Sequence, residues 1–392
     1  MKHHRPEKET SPEAPPLRLV FWETTARCNL SCRHCRRLDR LGAGHLDRLG
    51  AGRVDVPDAG ASGELSTAEG AAFIDDLARS HREALLVFSG GEPLLRADLF
   101  DLAARAKRAG LATALATNGT LVTPELAGRV AAAGFSRASV SLDGARAETH
   151  DRLRGSPGLF ERALAGLRLL RDAGQAVQIN MSVTRAGAAE LAEMFALAEG
   201  QRAAALHIFI IVPVGCGQGL DESERLGPGE QEELLRKFHE LSAASRLSTR
   251  ATCAPQYARI AQEAMSPAQR ERYGPAAPGS CEDYPPAVPG ADNDRRQGGC
   301  LAGRAVCFVS HKGEVFPCGY LPVACGNVRA RPLSEIWGSS EVLARLRGAA
   351  PVGGKCGRCP WRPACGGCRA RAFAATGDYL AADADCAFLP TV

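Results

Sequence analysis

The chain has 392 residues, 45% of them hydrophobic, enough for one full α/β domain and a smaller second one. Its 48 basic and 44 acidic residues are mixed along the sequence to a net charge of +4, which gives no concentrated basic patch and excludes nucleic acid as an expected partner. No apolar stretch approaches the length of a membrane span. Fifteen cysteines without an apolar leader in MKHHRPEKETSPEAPP suggest metal or cluster binding in the cytoplasm rather than disulfides.

Residues 1–16 are polar and proline-rich, the composition of a disordered tail. A first strand is expected at Leu19–Glu23, and CNLSCRHC follows shortly after it. Residues 38–63 carry LDRLGAG twice, at Leu38–Gly44 and Leu46–Gly52, which reads as a duplicated loop insertion and leaves a lid as the alternative. Ser66-Thr67-Ala68-Glu69 has the form of a capping box, and Thr123-Pro124 of an N-cap followed by an N1 proline. Further strands are expected at Ala84–Phe88, Ala112–Ala116, Arg137–Leu142, Val177–Thr184 and Leu206–Val212. Six strands alternating with amphipathic stretches predict an α/β fold, a parallel sheet curled into a partial (β/α)6 TIM-like barrel over residues 17–225. Residues 226–297 read as a helical segment and linker, and residues 298–392 as a small Cys-rich domain. Met265–Gly299, rich in Pro, Gly and charge, is long enough to close over a substrate.

In such a sheet, ligands gather beyond the C-terminal strand ends. Cys28 follows the first strand, Gly90 the second, Asn118 the third, Asp143 the fourth and Pro213 the sixth. Cys28, Cys32 and Cys35 place three thiols within eight residues. A cubane iron–sulfur cluster takes four thiolates, so three leave one iron open to a substrate or cosubstrate. A structural zinc site wants four protein ligands, usually as two Cys-x2-Cys pairs, and stays the alternative on spacing alone.

Cys-x3-Cys-x2-Cys after one strand, with Gly90-Gly91-Glu92-Pro93 after the next, resembles the radical S-adenosylmethionine superfamily over most of residues 17–225. The resemblance implies a [4Fe-4S] cluster on Cys28, Cys32 and Cys35 that binds S-adenosylmethionine at its open iron. One electron passed to that cosubstrate yields a 5′-deoxyadenosyl radical, which takes hydrogen from an unactivated carbon. By the same resemblance the backbone of Gly90, Gly91, Glu92 and Pro93 meets the methionine amino group, the glycines permitting a close approach. Asn118, Ser141, Asp143, Ser182 and Arg152 or Arg154 are implied as a polar shell for ribose and carboxylate, although Asn-Gly and Asp-Gly are also plain turn formers. Phe209–Val214 is implied as the wall against adenine, and a reductant protein such as flavodoxin or ferredoxin as the electron donor.

The C-terminal cysteines run Cys300-x12-Gly313-x4-Cys318, then Cys356-x2-Cys359-x5-Cys365-x2-Cys368, then Cys386. This resembles the SPASM domain that follows many radical enzymes and implies one or two auxiliary [4Fe-4S] clusters. The family pattern assigns Cys300, Cys307, Cys318 and Cys368 to the first and Cys356, Cys359, Cys365 and Cys386 to the second. The last interval is x2 here where the pattern has x3, which leaves the partition at Cys368 open. By spacing alone Cys356–Cys368 also fits a zinc ribbon. Cys216, Cys253, Cys281 and Cys325 fall outside the pattern and read as small buried hydrophobes.

The strings at Gly298–Arg329 and Gly354–Cys386 resemble the radical enzymes that remove carboxylate-bearing side chains from iron tetrapyrroles in the alternative haem and haem d1 pathways. Within that group VCFVSHKGEVFPCGYLPV and TCAPQY favour removal of two acetates from 12,18-didecarboxysirohaem to give iron-coproporphyrin III. Alternatives are oxidative decarboxylation of iron-coproporphyrin III by a haem synthase, a haem d1 biosynthesis enzyme, a peptide-modifying SPASM enzyme, and an iron–sulfur electron-transfer scaffold without catalysis. Arg304, Lys312, Arg329, Arg369 and Arg371 are candidates for the substrate carboxylates and His207 and His311 for its iron, each with a plain surface or core role as the alternative.

Overall fold

The computed structural model describes residues 14–37, 63–266 and 299–390. The expected tail to residue 13, the LDRLGAG repeat, Cys281 and most of the Met265–Gly299 linker, with the lid readings attached to them, lie outside the described residues.

Six parallel strands stand in sequence order: β1 (Leu19–Glu23), β2 (Leu85–Ser89), β3 (Ala112–Thr117), β4 (Arg137–Ser141), β5 (Val177–Val183) and β6 (Ala205–Ile210). Each lies within two residues of its expected bounds, because runs such as LVFWE and LLVFS are buried on both faces and so read as unbroken apolar strings. The crossovers are helical: α1 (Thr67–Ser80), α2 (Leu99–Arg108), α3 (Pro124–Ala133), α4 (Ala147–Arg154) with α5 (Leu159–Asp172), and α6 (Arg185–Ala189) with α7 (Leu191–Gly200). Ser66 closes the capping box on α1 with Glu69, and Thr123 caps α3 ahead of Pro124, as the sequence predicts. Between sheet and helices, Trp22, Phe73, Phe88 and Phe135 form an edge-packed aromatic column.

Two additions extend the sheet. β7 (Ser248–Thr252) pairs in parallel beyond β6, and β8 (Val306–Val309) pairs in parallel with the free edge of β1, followed by the antiparallel β9 (Glu314–Phe316) and β10 (Gly326–Asn327). The C-terminal segment is therefore hydrogen-bonded into the barrel sheet rather than attached beside it. STRAT is too polar, and four-, three- and two-residue strands too short, to stand out by hydrophobic pattern. Among the described residues no helix is long and apolar enough to cross a membrane.

Candidate active site

The loop that follows β1 and carries Cys28, Cys32 and Cys35 is gripped from several strand ends. The Gly91 and Glu92 amides donate to the Thr25 and Arg27 carbonyls, each at 2.7 Å. A Cβ at Gly91 would stand 2.3 Å from the Arg27 carbonyl oxygen, so glycine is what lets this turn press against the cysteine loop. Beyond β3, Asn118 Nδ2 donates to Asn29 Oδ1 at 2.9 Å, while its own oxygen accepts from the Thr120 amide and hydroxyl. The Arg33 amide donates to the Leu153 carbonyl on α4 at 3.0 Å, and the Cys216 amide, past β6, donates to the Cys35 carbonyl at 2.8 Å. Asn29, Arg33, Thr120 and Cys216 were not expected at the site; Asn29 and Arg33, both inside CNLSCRHC, carried a readable signal.

Glu92 is fully buried and faces inward. Its carboxylate accepts from Thr117 Oγ1 at 2.7 Å, the Asn118 amide at 2.8 Å and the Leu94 amide at 3.2 Å, which ties the turn after β2 to the end of β3. Burial raises its pKa to about 6 against the pull of those donors. Pro93 opens the short 3-10 turn that follows.

Asp143 has no solvent exposure. Arg154 Nε donates to its Oδ2 at 2.6 Å and the Ser182 amide to its Oδ1 at 2.8 Å. Burial opposes its ionisation, but the Arg154 charge, helped by His34 and His150, outweighs burial and holds the carboxyl far below the usual range. A second nitrogen of Arg154 reaches Cys32 Sγ at 3.7 Å, so one buried guanidinium spans the strand-four carboxylate and the cysteine loop. Burial pushes the Cys32 thiol up to about 12 and Arg154 opposes that rise. Arg154 is thus the cation in place to stabilise a Cys32 thiolate, the form that iron ligation would require. His34, 3.6 Å from Asp143, is lowered by burial to about 4 and is neutral near pH 7.

Of the paired alternatives, Arg154 is the buried one; Arg152 is exposed and lies 4.0 Å from Glu224. Ser141 ends β4 opposite Asn180, and Val212 and Val214 of the Phe209–Val214 segment are buried. Three partly exposed thiols, with Cys28 and Cys35 both within electrostatic reach of Cys32 and Cys32 beside a guanidinium, suit an iron–sulfur cluster with one open iron. Among the described residues no three His, Cys, Asp or Glu side chains close around a single metal ion.

The C-terminal thiols form two groups. Cys356, Cys359, Cys365 and Cys386 line one pocket together with Asp383 and Lys355, the set expected for the second auxiliary cluster. Cys300, Cys318 and Cys368 lie within electrostatic reach of one another. Gly366 and Gly367 are both left-handed, at φ +72° and +66°, and this double turn sends Cys365 and Cys368 to different groups despite the short interval. Cys307, expected with Cys300, Cys318 and Cys368, departs from that set. It is fixed in β8 opposite Val20 and faces Cys325 and Arg347 in the main core.

A wide pocket opens where the cysteine loop meets the C-terminal segment, enclosing about 630 Å³ including its mouth. Arg36, Arg37, Phe308, Lys312, Cys318 and Tyr320 are among its walls. The Arg36 guanidinium stacks 4.2 Å over Phe308 and lies 3.6 Å from Glu23. His311 Nδ1 is 2.7 Å from Glu23 Oε2, and its Nε2 has no hydrogen-bond partner among the described residues. Of the residues expected to meet substrate carboxylates, Lys312 is at this pocket. Arg329 binds Glu69, Arg369 the carbonyls of Gly367, Tyr379 and Ala381, and Arg371 Asp383; Arg304 does not line it. His207 Nδ1 is 3.0 Å from Gln178 Nε2, and burial lowers its pKa well below the usual imidazole range.

The sequence pattern of the Radical SAM superfamily matches residues 22–197, and that of the SPASM iron-sulfur cluster-binding domain residues 300–369. The chain is 44% identical to an AdoMet-dependent heme synthase of Methanosarcina barkeri over 95% of its own length and 97% of that protein's. It is 39% identical to the AdoMet-dependent heme synthase of Nitratidesulfovibrio vulgaris, over 96% and 94% of the two chains. A Methanosarcina barkeri Fe-coproporphyrin III synthase is 32% identical over 94% of this chain and 87% of its own. Among solved structures, Streptococcus suis SuiB bound to precursor peptide SuiA superposes with a TM-score of 0.66 at 14% identity, covering 96% of this chain and 76% of that one, a likeness of fold.

Proposed function

Because the chain belongs to the radical SAM enzyme superfamily and carries a SPASM iron–sulfur domain, we propose that it decarboxylates two propionates of iron-coproporphyrin III to vinyl groups, giving haem. Each propionate gives up one hydrogen atom, one electron and carbon dioxide. The pocket at the seam carries this reading through its lining, with Arg36 and Lys312 for carboxylates and Phe308 and Tyr320 for a flat apolar ring. Its walls include Arg36, next to the last cysteine of the loop, and Cys318 of the C-terminal group, which supports a substrate held near both sets of thiols.

When bound, the cluster and S-adenosylmethionine supply a radical that removes hydrogen from carbon. Cys28, Cys32 and Cys35 hold that cluster, and Arg154 compensates Cys32 while fixing Asp143. The Glu92 anchor and the Asn118–Asn29 bond keep the loop from shifting against β2 and β3. A reductant protein such as a flavodoxin or ferredoxin supplies the electron, and a chain with fifteen cysteines read as metal- or cluster-binding suits a reducing cytoplasmic setting.

Within the tetrapyrrole group the sequence wording favours deacetylation of 12,18-didecarboxysirohaem. The relatives named heme synthase are the more similar, at 44% against 32% identity, and the proposal follows that margin. Anaerobically reconstituted, reduced protein is to be given S-adenosylmethionine with iron-coproporphyrin III, didecarboxysirohaem or a Cys-rich peptide. Loss of two carboxyl groups from iron-coproporphyrin III, with 5′-deoxyadenosine released, is the expected result. Loss of two acetates from didecarboxysirohaem, or a crosslinked peptide, would replace the proposal.

A further inference from the structure

We infer that Cys253, and not Cys307, is the fourth thiol of the auxiliary site formed with Cys300, Cys318 and Cys368. The inference rests on the iron–sulfur part of the reading above and is independent of the substrate. Cys253 directly follows β7, far in sequence from the C-terminal motif, yet it lies within electrostatic reach of all three other thiols. Cys253 and Cys318 pack into the same apolar cluster as Cys368.

The backbone at Cys253 is held for this placement. Its φ of +56° is left-handed, a conformation that among the described non-glycine residues only Arg202 shares. The Arg371 guanidinium donates to the Cys253 carbonyl, and also to Asp383 Oδ2 at 2.7 Å, which in turn accepts from the Cys368 amide at 2.7 Å. A third bond from Arg371 reaches Gln256 Oε1 at 3.2 Å. One buried cation therefore fixes the backbones of Cys253 and Cys368 relative to each other.

Cys307 is kept out by strand alternation. In β8, Cys307 and Val309 belong to the main core with Val20, whereas Phe308 turns to the opposite face and lines the seam pocket beside Cys318. Bringing Cys307 to that face needs a one-residue slip of β8 on β1, which would turn Phe308 into the core. Four protein thiols leave no iron open for substrate, so this site is one for electron transfer rather than substrate binding.

The test uses full-length protein carrying Cys28→Ala, Cys32→Ala and Cys35→Ala, so that the remaining iron is auxiliary. Cys253→Ala and Cys307→Ala are added separately, and iron, acid-labile sulfide and the EPR spectrum after reduction are compared under anaerobic conditions. The expected result is lost iron or an altered spectrum in Cys253→Ala, with Cys307→Ala like its parent. Cys253→Asp, whose carboxylate can still bind iron, should retain iron with an altered spectrum, which a purely structural role would not produce. An unchanged spectrum in either Cys253 variant overturns the inference, as does iron loss in Cys307→Ala while its thermal melting stays at the parent's. A parent without auxiliary iron would instead sink the iron–sulfur reading itself.

Discussion

Glu92 offers a quantitative test of how the turn after β2 is held. Its carboxylate is fully buried, and its pKa of about 6 lies above the ordinary 4.5. The folded protein therefore binds more protons than the unfolded chain through this window, and stability falls as pH rises across it. The whole effect is about 2 kcal/mol, of which about 1 kcal/mol develops between pH 8 and pH 5. Glu92→Gln cannot titrate, and it also sets an amide nitrogen against a backbone donor at Asn118 or Leu94. Relative to the variant, the parent should gain about 1 kcal/mol from pH 8 to pH 5, read from denaturant unfolding of both proteins followed by fluorescence of buried Trp22. Taking the difference cancels every other titrating group. Parallel stability profiles would refute the placement of a strained, buried carboxyl here, and a gap that widens toward high pH in the parent's favour would reverse the sign of the argument.

Gly91→Ala should displace the cysteine loop, since its Cβ would meet backbone oxygen at 2.3 Å, and lose the radical-site iron; Gly128→Ala, with open space around it, should keep the full iron content. Arg154→Gln leaves Asp143 buried without its cation, which should cost about 3–5 kcal/mol in denaturant unfolding and cut 5′-deoxyadenosine formation. A stability loss under about 1 kcal/mol would show that the pair is not desolvated. Arg36→Gln and Lys312→Gln should each raise KM for iron-coproporphyrin III roughly 10- to 100-fold. The slow cleavage of S-adenosylmethionine without substrate should stay at the parent's rate, and an equal fall in both activities would place these residues at the cluster instead.

The barrel was legible because its strands are buried on both faces and its functional residues sit at strand ends, where a Gly-Gly pair or Asn-Gly breaks the apolar run. Partnership was not. Nothing in HDRLRG separates Arg152 from Arg154; the two differ by about 200° around α4, and only the packing of that helix against the cysteine loop decides which is buried. Glu92 read as part of a ligand-facing turn, but its carboxylate satisfies backbone donors of the neighbouring strand end, a contact between residues 26 apart. The family pattern groups Cys356, Cys359, Cys365 and Cys386, and these four do line one pocket. The same pattern counts Cys307 with the first group, but a motif does not say which face of a strand a residue occupies, and Cys307 lies on the core face of β8.

That β8 joins β1 also constrains how the two halves work together. β1 ends in Glu23 and leads into the cysteine loop, while β8 ends at Val309 and leads into His311, which bonds Glu23. Arg36, one residue past the last cysteine of the loop, lies against Phe308 of β8. A ladder of backbone bonds, a buried acid–imidazole contact and a stacked guanidinium leave little freedom for the hinge motion expected between ordinary domains. Burial opposes the Glu23 charge, yet the His311 bond and the Arg36 and Arg37 charges hold its pKa below the ordinary carboxylate value, so an anionic group persists at the centre of the seam. On the proposed reading, a polycarboxylate entering this pocket would compete with Glu23 for Arg36, which lies 3.6 Å from that carboxylate, while Lys312 offers a second cation at the pocket wall.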